Sequence, residues 1–211
     1  MQALTTTTIT NFGDSSVMLP CALIIALWLW LGASRRTVLL WLSLFGGACL
    51  LVAISKMAFF GWGIGIRAYD FTGFSGHSML ACSVIPVLFW LLAAKARSVV
   101  RWVCAGAGAL FALAIAVTRI KLGFHSVSEV VTGVPIGFAA SGVFLWLMRD
   151  RAVVVKSNLA VIASLLAPLL VLYGLNAPTQ HFMEDVATKL ANGANPYTRA
   201  HQRAGVKPIG D

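Results

Sequence analysis

Six stretches free of charged residues, at about 15–34, 37–55, 78–94, 102–118, 130–148 and 157–175, dominate this chain. Each is close to the roughly 20 residues that carry a helix across a hydrocarbon core. No water is available there to satisfy backbone groups, so a spanning segment must be a helix or a strand of a closed barrel, and these runs lack the period-two alternation of barrel strands. The expectation is an all-α polytopic membrane protein, with six transmembrane helices in one bundle over residues 1–176 and a polar tail over 177–211. Composition agrees: 59% of the 211 residues are apolar and 11% charged, where soluble domains run near one quarter charged.

Six spans put both termini on one side, together with the loops after the second and fourth runs. The other three loops carry Arg35, Arg36, Lys95, Arg97, Arg101, Arg149, Arg151 and Lys156 against one acid, Asp150. The positive-inside rule assigns that side to the cytoplasm. The loops bearing His77 and His125, and both termini, then fall on the outer (periplasmic or extracellular) side of the inner (plasma) membrane. Trp28, Trp30, Trp41, Trp90, Trp102 and Trp146 lie near span ends on the cytoplasmic side, as an aromatic belt would. The net charge of +9 does not point to nucleic acid, because the basic residues form short clusters between apolar runs and make no contiguous face.

Other features read as architecture. Cys21, Cys49, Cys82 and Cys104 sit inside apolar runs without paired spacing and are expected to be packing residues. No Lys or Arg precedes Arg35, so the first run lacks the basic start of a cleavable signal and is expected to remain as a span. Gly133 and Gly137 form a GxxxG interrupted by Pro135, which suits close helix packing. In the tail, residues 179–192 fit a short amphipathic helix with Phe182, Val186 and Leu190 on one face, near the site on the outer surface.

Only two loops are dense in ionisable groups. One holds Lys56, Arg67, Asp70, Ser75 and His77, the other Arg119, Lys121, His125 and Glu129. Such groups at a bilayer are costly and mark function by default. Phe74-Ser-Gly-His77 immediately precedes the third run, so Ser75, Gly76 and His77 should form a first helical turn whose free N–H groups favour an anion. Alternatively, Ser75 only caps the helix. His125 and Glu129 are four apart, which lets the carboxylate hold one imidazole nitrogen and leave the other free to attack. Equally, Ser126-Val-Ser-Glu129 fits a capping box. Arg119 suits bidentate contact with phosphate oxygens, or it snorkels to the interface as Lys121 does.

Taken jointly, these residues resemble the type 2 phosphatidic acid phosphatase superfamily, the membrane lipid phosphate phosphatases. The match covers about residues 50–145: Arg119, five residues, His125, three residues and Glu129; Ser75-Gly76-His77; and Lys56 with Arg67. This sequence departs from the family pattern in the longer gap between Lys56 and Arg67, in Ala68, Phe74 and Thr118, and in having Glu129 where Asp is usual. The resemblance implies that His125 is the nucleophile, oriented by Glu129, and that His77 is the general acid and base. It implies that Arg119, Arg67, Lys56, Ser75 and Gly76 bind the phosphate, with no metal and no cofactor.

The function so implied is an inner-membrane phosphatase that hydrolyses a lipid phosphate or pyrophosphate through a phosphohistidine at the outer face. Its partners are the lipid substrate and the bilayer. Three alternatives stay open at this point: a phosphotransferase using the same intermediate, a non-catalytic anion-binding transporter or scaffold, and a metalloenzyme built on His77, His125, Glu129 and Asp70.

Overall fold

The computed structural model describes residues 10–151, 153, 158–172, 179–191 and 195–206. Among them there is no strand, only helices and an isolated antiparallel bridge between Ile66 and Phe71. In chain order the helices are α1 (Ser15–Gly32), α2 (Arg35–Trp62), α3 (Gly76–Leu92), α4 (Ser98–Lys121), α5 (Val127–Met148), α6 (Asn158–Leu172), α7 (Thr179–Leu190) and α8 (Arg199–Ala204), with one 3-10 turn at Arg67–Tyr69.

Four of these, α1, α2, α4 and α5, are long and apolar enough to cross a membrane, and α3 is a shorter apolar helix of 17 residues. The first five apolar runs thus each correspond to one helix, and α6 accounts for 158–172 of the sixth. The remainder of that run, 157 and 173–175, lies outside the described residues. Leu23, Leu27, Leu39, Leu50, Leu110 and Val131 are exposed along the outer faces of the long helices, a surface that suits lipid and not water.

Local chemistry sets where these helices start. Asp14 accepts from the Ser16 N–H, Ser34 from Thr37, Ser75 from Ser78 and Ser126 from Glu129, so an Asp or Ser caps four of the first five helices. At the far end of α2, Gly63 turns the chain with φ 67°, a left-handed conformation open to glycine.

The bundle is arranged around α3, which packs against α1, α2, α4, α5 and α6. Twelve of its 17 residues are buried. Small residues bring α5 against it: a Cβ on Gly133 would come 2.7 Å from the Ser75 carbonyl oxygen, and one on Gly137 would collide with the Met79 carbonyl and lie 2.7 Å from Cys82 Cβ. Ser141 adds a hydrogen bond to the Cys82 carbonyl at 2.8 Å. Cys21 and Cys82 are fully packed in this core, and all four cysteines are free thiols.

The tryptophans divide differently from the expected belt. Trp41 and Trp90 are core side chains, 0% and 1% exposed. Trp41 donates to the Ala22 carbonyl at 3.0 Å, and Trp90 carries the Arg101 guanidinium 3.7 Å over its ring. Trp30, Trp102 and Trp146 do face outward.

The tail is docked on the bundle. α7 lies on the last turns of α2, with Ala187 fully buried against Phe59 and Phe60 and with Met183 beside them. The expected apolar face is not the one used, since Phe182 and Leu190 are exposed. The reason is steric: Gly61 lets the α7 backbone come so close that a Cβ there would sit 3.0 Å from the Ala187 carbonyl oxygen, which only a small residue on α7 permits. Tyr197 then hydrogen-bonds through its N–H to the Phe60 carbonyl at 2.8 Å, and leads into α8.

Candidate active site

The two ionisable loops meet at one end of the bundle. Ser75 heads α3 and is held there from two directions. Its N–H donates to the Glu129 carbonyl at 3.0 Å, and its hydroxyl caps the helix by accepting from the Ser78 N–H. It is completely buried and does not line the cavity beside it. Gly76 and His77 do.

Glu129 is fully buried at the start of α5 and is the most heavily bonded side chain of the region. Its Oε2 accepts from His125 Nδ1 at 2.7 Å and from the Ser126 N–H at 3.3 Å. Its Oε1 accepts from the Thr72 N–H at 2.9 Å and from the Thr72 hydroxyl, and the Arg199 guanidinium bonds both oxygens at 2.8 and 2.9 Å. The two readings of Ser126-Val-Ser-Glu129 therefore hold together, as one carboxylate closes the capping box and grips the histidine. A carboxylate accepts only, so His125 Nδ1 carries the proton and Nε2 keeps its lone pair.

His77 faces His125 with ring centroids 6.4 Å apart. Its Nε2 lies 3.1 Å from Asp14 Oδ2. Asp14 also caps α1, through Oδ1 and the Ser16 N–H at 2.9 Å. Burial works against its charge, but the hydrogen bonds from His77 and Ser16 hold its carboxyl below the usual carboxylate range. Arg119, buried at the end of α4, stacks 4.5 Å over Phe124 and donates through Nη1 to the Thr10 hydroxyl at 3.2 Å. Its Nε has no hydrogen-bond partner among the described residues.

These groups share a cavity of about 400 Å³. Lys56, His77, Arg119 and His125 form its polar end, and Leu19, Cys49, Val52, Ala53, Met79 and Leu80 line the rest, with Thr179, Gln180 and Met183 of α7 closing one side. A second cavity of about 250 Å³ adjoins it at Lys56, Phe124, His125 and Gln180 and is bounded by Thr72, Tyr197, Thr198 and Arg199.

Of the residues singled out in the sequence, Lys56, Gly76, His77, Arg119 and His125 come together on the first cavity, with Ser75 and Glu129 directly behind them. Arg67 does not join them. The Ile66–Phe71 bridge turns the loop so that Arg67 points away and donates to the Arg203 carbonyl, and it lines neither cavity. The cation beside Glu129 is instead Arg199, which also binds Asp70 Oδ2 at 2.5 Å. Hydrogen bonds from Arg203 and Arg199 lower the Asp70 pKa. Among the described residues, no three of His, Cys, Asp or Glu gather as a metal-binding group would. Asp14, Thr72 and Arg199 escaped the sequence reading because their partners are 63, 57 and 70 residues away; only the unpaired charge of Asp14 and Arg199 could have flagged them.

The chain is 38% identical over 203 residues to a Klebsiella pneumoniae protein named "Uncharacterized 22.5 kDa protein in cps region", covering 93% of this chain and 97% of that one. No solved structure matches it. The family model described as the PAP2 superfamily matches residues 63–153, which include His77, Arg119, His125 and Glu129. On these likenesses, the chain belongs to the PAP2 superfamily, the type 2 phosphatidic acid phosphatases.

Proposed function

We propose that the protein is a membrane phosphatase that removes phosphate from a lipid phosphate or pyrophosphate through a phosphohistidine. Members of the superfamily are generally phosphatases. The observation that carries the lipid reading is the two-part character of the main cavity, with two histidines and two cations at one end and an aliphatic floor below Lys56 reaching Cys49 on α2. Seven residues of helix separate those two positions, roughly 10 Å of depth at 1.5 Å per residue, enough to seat the first part of an apolar chain while the phosphate meets the polar end.

His125 Nε2 attacks phosphorus as the bond to the leaving oxygen breaks, and His77 gives that oxygen a proton. His77 then takes a proton from water, the resulting hydroxide displaces His125, and phosphate leaves. Arg119, whose Nε is an unspent buried donor, binds the phosphate oxygens with Lys56 and the free N–H groups at the start of α3. Ser75 acts by seating that turn. In phosphoryl transfer, positioning and charge stabilisation are most of catalysis.

We place six helices in the bilayer, including α3 and α6, with the site and both termini on the outer side of the inner membrane. Residues 1–176 then form the membrane domain and 177–211 its polar tail. The test is phosphate release from vesicles carrying single lipid phosphates. The wild-type protein releases phosphate, and His125→Ala lowers the rate at least about a thousandfold, the scale for loss of a nucleophile. Undiminished release by His125→Ala overturns the mechanism. The second cavity favours one variant reading, transfer to a polar acceptor, which label accumulating on an acceptor instead of in free phosphate would establish.

A further inference from the structure

His77 is gripped by a residue from a distant part of the chain. Asp14 precedes α1, 63 positions earlier in the chain, yet its Oδ2 is 3.1 Å from His77 Nε2. The contact is sheltered, the two side chains being 25% and 15% exposed for His77 and Asp14. The turn bearing Asp14 is itself wedged into place: a Cβ on Gly13 would lie 2.6 Å from Ile115 Cγ2 of α4, and Thr10 holds the Arg119 guanidinium. Because a carboxylate only accepts, His77 Nε2 carries a proton and Nδ1 is the nitrogen left for exchange with substrate or water. Each histidine of the site thus has its own carboxylate. Glu129 serves His125 from four residues away on one helix, whereas Asp14 serves His77 only through the tertiary fold.

We propose that Asp14 is the positioning residue of the leaving-group step, holding the His77 ring in one tautomer and stabilising its imidazolium while Nδ1 donates to the departing oxygen. The inference rests on the phosphatase reading given above. The proton moves from Nδ1 to the leaving oxygen as the P–O bond breaks, and Asp14 stays deprotonated throughout. In the second half-reaction Nδ1 takes a proton from water, and the imidazolium is restored.

Such a role is visible in the choice of leaving group. An alkoxide leaves poorly unless protonated, whereas nitrophenolate leaves with little help. Asp14→Ser keeps a good N-cap for α1 but is too short to reach His77. With purified protein in mixed micelles, it should lower kcat on a long-chain alkyl phosphate about a hundredfold, the lower range for general acid catalysis, and on p-nitrophenyl phosphate only about threefold, with KM for both little changed. Asp14→Asn, which keeps an acceptor oxygen without the charge, should fall between wild type and Asp14→Ser on the alkyl phosphate. Equal losses on both substrates, or no loss on the alkyl phosphate, overturn the proposal while leaving the phosphatase reading intact. Absence of phosphate release by the wild-type protein from either substrate overturns both.

Discussion

Burial disfavours the charged form of the His125 ring and pushes its pKa down to about 4, against the hydrogen bond that Nδ1 donates to Glu129, which favours the cation; Lys56 and Arg119 add to the depression. Its folded value therefore lies below the ordinary 6.5 of histidine. As pH falls from about 6.5 towards 4, the unfolded chain binds the proton first and the fold loses stability. Above about 4 the folded ring stays neutral and Nε2 remains free for attack. The acid limb that kcat/KM owes to His125 should accordingly lie near pH 4 in the free enzyme; a limb near 6.5 would show that the ring is not sequestered as described. At this scale the sequence was most legible where partners are local. The four-residue interval makes His125 and Glu129 neighbours on any helix, so both the cap and the grip could be named. Nothing local ties Arg199 to Glu129 or Asp14 to His77, and Arg67, given to the phosphate by the family resemblance, is turned by its loop to the Arg203 carbonyl of the tail.

Helix contacts carry the site as much as side chains do. α5 touches the head of α3 through Gly133, where a Cβ would meet Ser75 on its carbonyl oxygen, its N and its own Cβ, whereas a Cβ on Gly142 of the same helix meets nothing within 4 Å. Gly133→Ala should thus push the Ser75-Gly76-His77 turn out of register, lowering stability by about 1–3 kcal/mol, the scale for overpacking, and lowering turnover further than the stability loss explains. Gly142→Ala should leave both close to wild type. Thermal unfolding and phosphate release on the two variants check this, and equal behaviour would refute it. Although α2 continues past the end of its run, through Lys56, to Trp62, hydropathy placed α1, α3, α4 and α5 to within a few residues because long apolar runs favour helices that cross a bilayer. It misjudged the docked face of α7, because a contact made by Ala187 and Gly61 depends on close approach, which hydrophobicity patterns do not register.

For the molecule as a whole, the orientation we propose from charge asymmetry puts the cavity on the outer side. With the four native cysteines replaced by alanine, an impermeant thiol reagent applied to intact cells should label Lys121→Cys, at the exposed end of α4 beside the site, and leave Arg97→Cys at the other end unlabelled. The reverse pattern would invert the orientation. The all-helical class and the meeting of two distant loops were legible because spans of fixed length leave few ways to arrange their ends; the tail helix beside the site was legible too, from the apolar period and end signals of 179–192, and only the face by which it docks on α2 was not. The aliphatic floor of the main cavity, running from Lys56 down to Cys49, has a kinetic consequence. A substrate whose chain rests there need never be extracted from its leaflet. On the proposed lipid reading, encounter becomes a search in two dimensions by lateral diffusion, and velocity follows the mole fraction of substrate in the surface, not the amount of lipid in the flask.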